Sequence, residues 1–360
     1  MKEKWTCEQA NEWYSKIGWR RGCNFIGSDC ANRLDMWQKY LSEEKIETAD
    51  RELELCHKIG FNTVRLWTSF DVYLAEPESY FDVFEKYVQL CDKHGQKIIL
   101  VLAHEEDLPR GDVFVPKAMG EQKYALGRHQ GRFPLSPEEK AKPPKHYLEY
   151  PETREKFLEM IRLTVRKYAN DERILCWNIM NEPGIAIKER CLDILRLLFD
   201  TVRAEDPIQP LCADIWGGVV DGHLRTEVEE LAVELSDVLS VHTYSPFDEV
   251  VAELKFHQKR NRPIFLTEWL FRIKGNNVFD IYPLLYMTNI ANCCWGFVVG
   301  KTQTHEPWSN MWEEWDRGEG RNYDFTKWQH DLFRPNLRPY DPREIEIIEK
   351  FNKLAAEEGR

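Results

Sequence analysis

The segment ILCWNIMNEPG, residues 174–184, joins a mainly apolar run to an amide, a carboxylate, a proline and a glycine. A short apolar run bounded by turn residues is typical of a strand that is buried on both faces. A carboxylate at the end of such a strand is costly to bury without a partner, and no basic residue stands beside it in the sequence. The position of Asn181 and Glu182 therefore indicates a functional role.

The same strand pattern recurs along the chain. Short apolar runs rich in β-branched residues alternate with longer amphipathic stretches, which is typical of βα units around a parallel sheet. Eight such units in 360 residues predict an α/β fold of the (β/α)8 barrel type, with one catalytic domain over residues 1–360. The predicted strands are residues 22–26, 63–67, 97–103, 174–180, 210–216, 238–244, 263–269 and 292–298.

Two segments interrupt the alternation. Residues 104–150, after the third strand, are rich in Pro, Gly, Lys and His and are too long for an ordinary connection. Residues 300–330, after the eighth strand, contain four of the thirteen tryptophans. We expect both segments to be long loops that wall the site, with His129 and His146 exposed to solvent.

The charge and hydropathy of the chain exclude two classes of partner. The 61 acidic residues outnumber the 49 basic ones, which gives a net charge of -12, and the basic residues form no stripe that could follow a phosphate backbone. No stretch approaches the roughly 20 apolar residues of a membrane span. We therefore expect neither a nucleic-acid nor a membrane partner, and the sequence does not predict an oligomeric state.

The N-terminal residues MKEKWTCEQANEWY lack the apolar core of a signal peptide. The ten cysteines are scattered and form no C-x-x-C pair, so we expect reduced thiols in the core. Both features predict a cytoplasmic location, and the alternative is that an export signal was trimmed from the sequence.

No cofactor or metal ion is predicted. The sequence contains neither a phosphate-binding loop nor the glycine fingerprint of a dinucleotide site. The stretch AHEED, residues 103–107, lacks the second histidine of the zinc motif H-E-x-x-H.

Polar and aromatic side chains accumulate where the predicted strands end. The C-terminal ends of barrel strands converge on one face, so these side chains are candidates for a shared site. The candidates are Arg65, His104, Asn181, Glu182, Asp214, Trp216, His242, Tyr244, Glu268, Trp269 and Trp295, with Lys301 and Gln303 beyond the eighth strand. Arg65 could instead form a structural ion pair inside the barrel. Asp214 and Trp216 could instead hold a loop in place.

Glu182 and Glu268 lie 86 residues apart, but the fourth and seventh strands of one barrel would bring them to the same mouth. Two carboxylates on either side of one cavity are the catalytic groups of most glycoside hydrolases. One protonates the leaving oxygen, and the other attacks the anomeric carbon or activates water. Tryptophans such as Trp216, Trp269 and Trp295 would offer flat apolar faces to sugar rings, whereas Trp308, Trp312 and Trp315 have a spacing that also fits a helical core stripe.

The Asn-Glu-Pro of the fourth strand and the Thr-Glu-Trp of the seventh together resemble the clan A glycoside hydrolases. Within that clan the chain resembles the retaining β-glycosidases of family 5, which include cellulases and mannanases. The resemblance extends from GCNFIG (22–27) to CWGFVVGKTQT (294–304). The sequence departs from the family pattern in HEEDLPRGD (104–112) and in GKTQT (300–304). Lys301 and Gln303, in the second of these stretches, would mark a separate branch of the family and would bind substrate.

The resemblance implies a role for each matching position. Glu182 would be the general acid/base and Glu268 the nucleophile. The other implied contacts are Asn181 to the sugar 2-hydroxyl, Arg65 and Tyr244 to the nucleophile, His104 and His242 along the cleft, and Trp295 under the sugar at subsite −1.

The sequence thus predicts a retaining β-glycoside hydrolase that acts on β-linked oligosaccharides by double displacement. The two long loops would close one end of the cleft, which favours exo-action. The alternatives are a carbohydrate-binding barrel without turnover and a transglycosylase that uses the same glutamate pair.

Overall fold

The barrel strands are short and their side chains are almost all buried, as strands with helices outside and packed side chains inside require. The computed structural model describes residues 2–360 and confirms the (β/α)8 barrel fold. The strands are β1 Arg21–Asn24, β2 Thr63–Trp67, β3 Lys97–Val101, β4 Ile174–Asn178, β5 Leu211–Cys212, β6 Asp214–Ile215, the hairpin β7 Val219–Val220 and β8 His223–Leu224, β9 Leu239–His242, β10 Ile264–Glu268 and β11 Ala291–Cys294.

All pairings within the main sheet are parallel, in the order β5-β4-β3-β2-β1-β11-β10-β9-β6. The predicted fifth strand is interrupted at Ala213, so that β5 pairs with β4 and β6 pairs with β9. The sheet therefore runs around the barrel and its two ends meet at this strand. The strand ends that carry the candidate residues consequently converge on one rim.

Helices surround the sheet and also occur within the loops. Helix α1 packs Ala10 and Tyr14 against Phe265 and Ala291 from the barrel strands. The helices are α1 Cys7–Ile17, α2 Arg33–Trp37, α3 Ser42–Lys58, α4 Phe70–Ala75, α5 Pro77–Lys93, α6 Pro137–Ala141, α7 Pro151–Tyr168, α8 Cys191–Ala204, α9 Glu227–Leu235, α10 Phe247–Gln258, α11 Val278–Thr288, α12 Ser309–Asp316 and α13 Pro342–Glu357. Among residues 2–360, none of these helices combines the length and the apolar character needed to cross a membrane.

The loop after β3 is held by the loop after β11. The side chain of Gln303 accepts a hydrogen bond from Gly127 N (2.6 Å) and donates one to Ala125 O (2.8 Å). The prediction that His129 and His146 are exposed is wrong. His146 is fully buried against Phe157, and His129 is largely covered because it contacts the backbone of Glu306.

All ten cysteines are free thiols, and nine of them are buried. Their burial fits the expectation of reduced thiols in the core. Two pairs approach each other without a bond, with Sγ–Sγ distances of 3.6 Å between Cys176 and Cys212 and 3.8 Å between Cys23 and Cys56.

Candidate active site

Glu182 and Glu268 face each other across the barrel mouth. Glu268 is the last residue of β10, and Glu182 lies in the loop that leaves β4. One carboxylate oxygen from each and one ring nitrogen of His242 all lie within 4.8 Å of one another. The predicted juxtaposition of two carboxylates from distant parts of the chain is thus present.

Arg65 projects from β2 into the centre of the barrel and is completely buried. Its Nη1 donates to Glu268 Oε1 (2.8 Å), and its Nη2 donates to Asn181 Oδ1 and to Asp214 Oδ2 (both 2.7 Å). Further bonds run to Asn24 Oδ1 and Asn178 Oδ1. Five groups from four strands or strand ends therefore share one guanidinium, which fixes their relative positions.

His242, at the end of β9, lies between three carboxylates. Its Nδ1 is 2.9 Å from Glu182 Oε1 and 3.5 Å from Glu268 Oε2, and its Nε2 is 3.3 Å from Asp214 Oδ2. Burial lowers the pKa of His242, but the charges of Glu268 and Asp214 outweigh it and raise the pKa to about 10. The ring is therefore an imidazolium at neutral pH, and both of its nitrogens carry a proton.

Asp214 lies next to two cations, Arg65 and His242. Burial raises the pKa of Asp214, but Arg65 and His242 outweigh it and lower the pKa to about 2. Asp214 is thus a permanent anion that keeps His242 charged. The sequence left the role of Asp214 open, and the structure favours electrostatic support of the site.

The pKa of Glu268 is raised above its usual value. Burial raises the pKa of Glu268, His242 opposes this, the charge of Glu182 adds to it, and Arg65 and the hydroxyl of Tyr244 lower it again. Tyr244 donates to Glu268 Oε2 at 2.8 Å. The anionic form of Glu268 nevertheless has two cations and a hydroxyl donor next to it, Arg65, His242 and Tyr244.

The backbone that presents Glu182 is unusual. Glu182 has φ = 41° and Gly184 has φ = 83°, both in the left-handed region. Glu105, which follows β3, accepts hydrogen bonds from the backbone N–H groups of Gly184 (2.7 Å), Ala186 (2.7 Å) and Ile187 (2.9 Å). This buried carboxylate holds the turn that carries Glu182.

We expect Glu105→Gln to lower the free energy of unfolding by about 1–3 kcal/mol, because one backbone N–H would face an amide N–H₂ instead of an oxygen. Displacement of the turn would also lower kcat, since the distance from Glu182 to the reacting bond changes. Urea unfolding and steady-state kinetics measure the two effects. Glu189→Gln, at an exposed position of the same loop, is the matched control. Equal stability of the two variants would show that Glu105 does not hold the turn.

A cavity of about 590 Å³ opens beside the carboxylate pair, over the ends of β11, β1, β2 and β3. Its aromatic walls are Trp67 and Trp295, whose rings lie 5.8 Å apart and edge to face. The polar walls include Arg33, whose guanidinium lies over the ring of Trp67, and His104. Burial and then Arg33 lower the pKa of His104, so His104 is neutral there.

The structure brings together most, but not all, of the predicted site residues. Arg65, Asn181, Glu182, His242, Tyr244 and Glu268 form one connected cluster, and His104 and Trp295 line the adjoining cavity. Trp216 is partly buried and donates through Nε1 to Pro183 O (3.1 Å), next to Glu182. Its backbone N–H is held by the carboxylate of Glu229 at 3.0 Å.

Three predicted substrate-binding residues lie elsewhere. Trp269 is 1% exposed and packs in the core against Tyr282, because the strand turns it outward from the barrel axis toward the helices. Gln303 holds the loop after β3, as described above, and Lys301 lies beside the same contact and outside the large cavity. Residues that follow a strand by several positions belong to a loop whose course the strand pattern does not fix.

The tryptophans after the eighth strand separate into two groups. Trp308 packs edge to face against Tyr244, 5.4 Å between ring centres, and so borders the carboxylate pair. Trp312 stacks on Phe325, and Trp315 lies edge to face against the same ring. The helical spacing of Trp312 and Trp315 therefore reflects their packing against Phe325.

Five residues that were not predicted also contribute to the site: Asn24, Trp67, Glu105, Glu106 and Asn178. Asn24 and Asn178 lie within strands, where an isolated amide gives no signal apart from its interruption of an apolar run. Glu106 accepts a hydrogen bond from Asn181 Nδ2 at 3.0 Å. The acidic run after β3 was the only sequence signal for Glu105 and Glu106.

Within residues 2–360, the one cluster with metal-ligand geometry is Glu182, His242 and Glu268. A charged imidazolium has no lone pair to offer a metal ion, and its pKa of about 10 keeps it charged. The cluster is therefore better suited to proton transfer and nucleophilic attack than to metal binding.

Comparison with known structures finds the same fold. GH5_18 from Streptomyces cattleya, in complex with GlcNAc, has a TM-score of 0.57 and 13% identity over 94% of this chain and 80% of its own. An endo-beta-1,4-mannanase from Thermotoga petrophila has a TM-score of 0.55 and 14% identity over 92% of this chain and 77% of its own. An exo-beta-1,4-mannosidase from Opitutaceae bacterium strain TAV5 has a TM-score of 0.59 and 13% identity over 95% of this chain and 60% of its own.

At these identities the structural likeness concerns the fold alone. No curated protein matches the sequence. The sequence model of the family described as Cellulase (glycosyl hydrolase family 5) matches residues 20–279, which include both glutamates and most of the barrel. The chain belongs to glycosyl hydrolase family 5, and it is a glycoside hydrolase.

Proposed function

We propose that the protein is a retaining, exo-acting β-glycoside hydrolase that acts on β-linked oligosaccharides by double displacement. The observation that carries this proposal is the approach of Glu182 and Glu268, with one carboxylate oxygen of each within 4.8 Å of the other. Retaining enzymes hold their carboxyl groups about 5–5.5 Å apart, whereas inverting enzymes need roughly 6.5–9.5 Å to admit a water molecule.

In the first step ionised Glu268 attacks the anomeric carbon while protonated Glu182 donates its proton to the leaving oxygen. Nδ1–H of His242 faces Oε1 of Glu182, so the transferable proton resides on Oε2. Arg65 and Tyr244 each donate to one oxygen of Glu268 and aim the carboxylate. The aglycone departs and leaves a glycosyl ester on Glu268.

In the second step ionised Glu182 takes a proton from water, and the water oxygen attacks the anomeric carbon. The ester bond to Glu268 breaks and the carboxylate is restored. Two displacements at one carbon return the β-configuration. His242 stays charged throughout, because ionised Asp214 faces it in both steps and ionised Glu182 faces it while Glu268 is esterified.

The shape of the cavity supports exo-action. The proposed acid Glu182, with Trp216 beside it, marks the aglycone side, and the 590 Å³ cavity lies on the opposite side, where the non-reducing end of the substrate would bind. Two ion pairs belong to the lining of this cavity, between Arg132 and Asp107 at 3.1 Å and between Lys117 and Asp71 at 3.1 Å, and they would limit the room for a longer substrate there. All four residues belong to the loops after β2 and β3.

β-Mannosides are the first substrates to test, because several proteins of similar fold are named as mannosidases or mannanases. We expect nuclear magnetic resonance to show the β-anomer as the first product from an aryl β-glycoside. We also expect β-1,4-linked oligosaccharides labelled at the reducing end to shorten stepwise from the unlabelled end.

Each alternative gives a different result in the same experiment. An α-anomer as the first product would contradict retention, and internal fragments at early times would contradict exo-action. Products longer than the substrate, without net hydrolysis, would identify a transglycosylase. Saturable sugar binding without any product would identify a binding protein.

A further inference from the structure

Arg33 lines the cavity, and Glu106 lies next to Arg33 without a proper hydrogen bond to it. Oε2 of Glu106 is buried and has no hydrogen-bond partner among the described residues. The nearest cation is Arg33, whose Nη1 lies 3.6 Å from this oxygen. Charge-assisted hydrogen bonds are normally 2.7–2.9 Å long, so the pair is too far apart for one.

Arg33 is poorly saturated as well. Its guanidinium is 18% exposed and lies 4.7 Å from the ring centre of Trp67, and its other polar neighbours are His104 Nδ1 at 3.4 Å and Asp107 Oδ2 at 3.7 Å. An arginine has five N–H donors. Most of these donors remain available at the wall of the cavity where the glycone would bind.

The pair is connected to the reacting centre by direct contacts. Glu268 bonds to Arg65, Arg65 to Asn181, and Asn181 to Oε1 of Glu106 at 3.0 Å. Each link leads outward from the side chain that would attack the anomeric carbon. Only two side chains therefore separate Glu106 from the carboxylate that would attack C-1, so the hydroxyls nearest to C-1, on C-2 and C-3, are the ones considered for this pair.

We propose that Arg33 and Glu106 form a specificity-determining pair that binds the 2- or 3-hydroxyl of the glycone. This inference rests on the proposed function. A hydroxyl is the group that fits, since its oxygen accepts from Arg33 while its proton is donated to Oε2 of Glu106. Binding satisfies a buried acceptor that is otherwise unpaired, which is the arrangement that discriminates most strongly against an analogue without the hydroxyl.

The test combines variants with deoxy substrates. The variants are Glu106→Gln and Arg33→Lys, and the substrates are nitrophenyl β-mannoside and β-glucoside with their 2-, 3-, 4- and 6-deoxy analogues. We expect Glu106→Gln to lower kcat/KM for the better parent glycoside by about 10- to 100-fold. For the 2-deoxy or the 3-deoxy analogue the variant should stay within about twofold of the wild type, because the interaction is already absent.

Glu138→Gln, an exposed glutamate of the same loop, is the matched control. An equal loss on the parent and on every deoxy analogue would assign Glu106 a purely structural role and overturn the inference. Selective coupling to the 4- or 6-hydroxyl, or no loss at all, would overturn it too. If Glu106→Gln does not fold, Arg33→Lys provides the same comparison.

The inference and the proposed function fail in different ways. If the wild-type protein cleaves none of the glycosides, the proposed function is wrong, and calorimetric titration with the same glycosides replaces kcat/KM. Weaker binding of the 2- or 3-deoxy analogue by the wild type, with no such difference in Glu106→Gln, would still support the pair. Equal binding of all analogues would overturn it.

Discussion

Glu268→Ala is expected to lower kcat by at least about 10⁴-fold, the scale of loss when a side chain that forms a covalent intermediate is removed. Glu268 is the carboxylate that Arg65 and Tyr244 orient, at 2.8 Å each. Asp214 also accepts from Arg65 but is fully buried, whereas Glu268 keeps some exposed surface. Steady-state kinetics on an aryl β-glycoside measure the loss.

Rescue by azide makes this prediction specific. The alanine leaves a gap on the face from which Glu268 would attack, and azide can enter it and displace the activated aglycone. A single displacement inverts the configuration, so the product would be an α-glycosyl azide. Glu346→Gln, an exposed glutamate on α13, is the control that should keep normal turnover. Normal turnover by Glu268→Ala would refute the assignment.

The regular part of the molecule was predictable because its physics is local. Apolar runs of five to seven residues indicated all eight barrel strands, and the convergence of strand ends then brought Arg65, Glu182 and Glu268 together. The interruption at Ala213 was not predicted, because the sequence there is as apolar as in the other strands, and neither was the hairpin β7–β8.

The rest of the site depends on side-chain direction and on loops. Trp269 follows Glu268 directly and was predicted to bind substrate, but successive residues of a strand point to opposite faces, so only one of the two can face the barrel axis. Gln303 and Glu106 lie in loops that have no periodicity. Their partners, Gly127 and Asn181, are 176 and 75 residues away, and neither contact leaves a pattern in the sequence.

The electrostatics of the site were also only partly visible in the sequence. The absence of a basic residue next to Glu182 suggested an acid without an ion pair, and in the structure its close polar partner is His242. The charge of that histidine depends on Asp214, which belongs to another strand. A pKa that is set by three strands cannot be read from any one of them.

Glu182→Ala is expected to have an effect that depends on the leaving group. For a β-linked oligosaccharide, whose alkoxide leaves poorly, kcat/KM should fall by about 10²–10⁴-fold because no acid protonates the departing oxygen. For a dinitrophenyl β-glycoside, which needs no protonation, formation of the glycosyl ester on Glu268 should be nearly unchanged. The slow step is then hydrolysis of that ester, so a burst of dinitrophenol followed by a slow phase should appear.

Azide distinguishes the two glutamates by the product it forms. In Glu182→Ala it would attack the glycosyl ester in a second displacement and give a β-glycosyl azide, the opposite anomer to that from Glu268→Ala. The alkaline limb of the kcat/KM profile, which reports loss of the acid proton, should disappear in the same variant. An α-glycosyl azide from Glu182→Ala, or equal losses on both leaving groups, would mean that Glu182 is not the acid/base, because its removal would then affect attack rather than proton transfer.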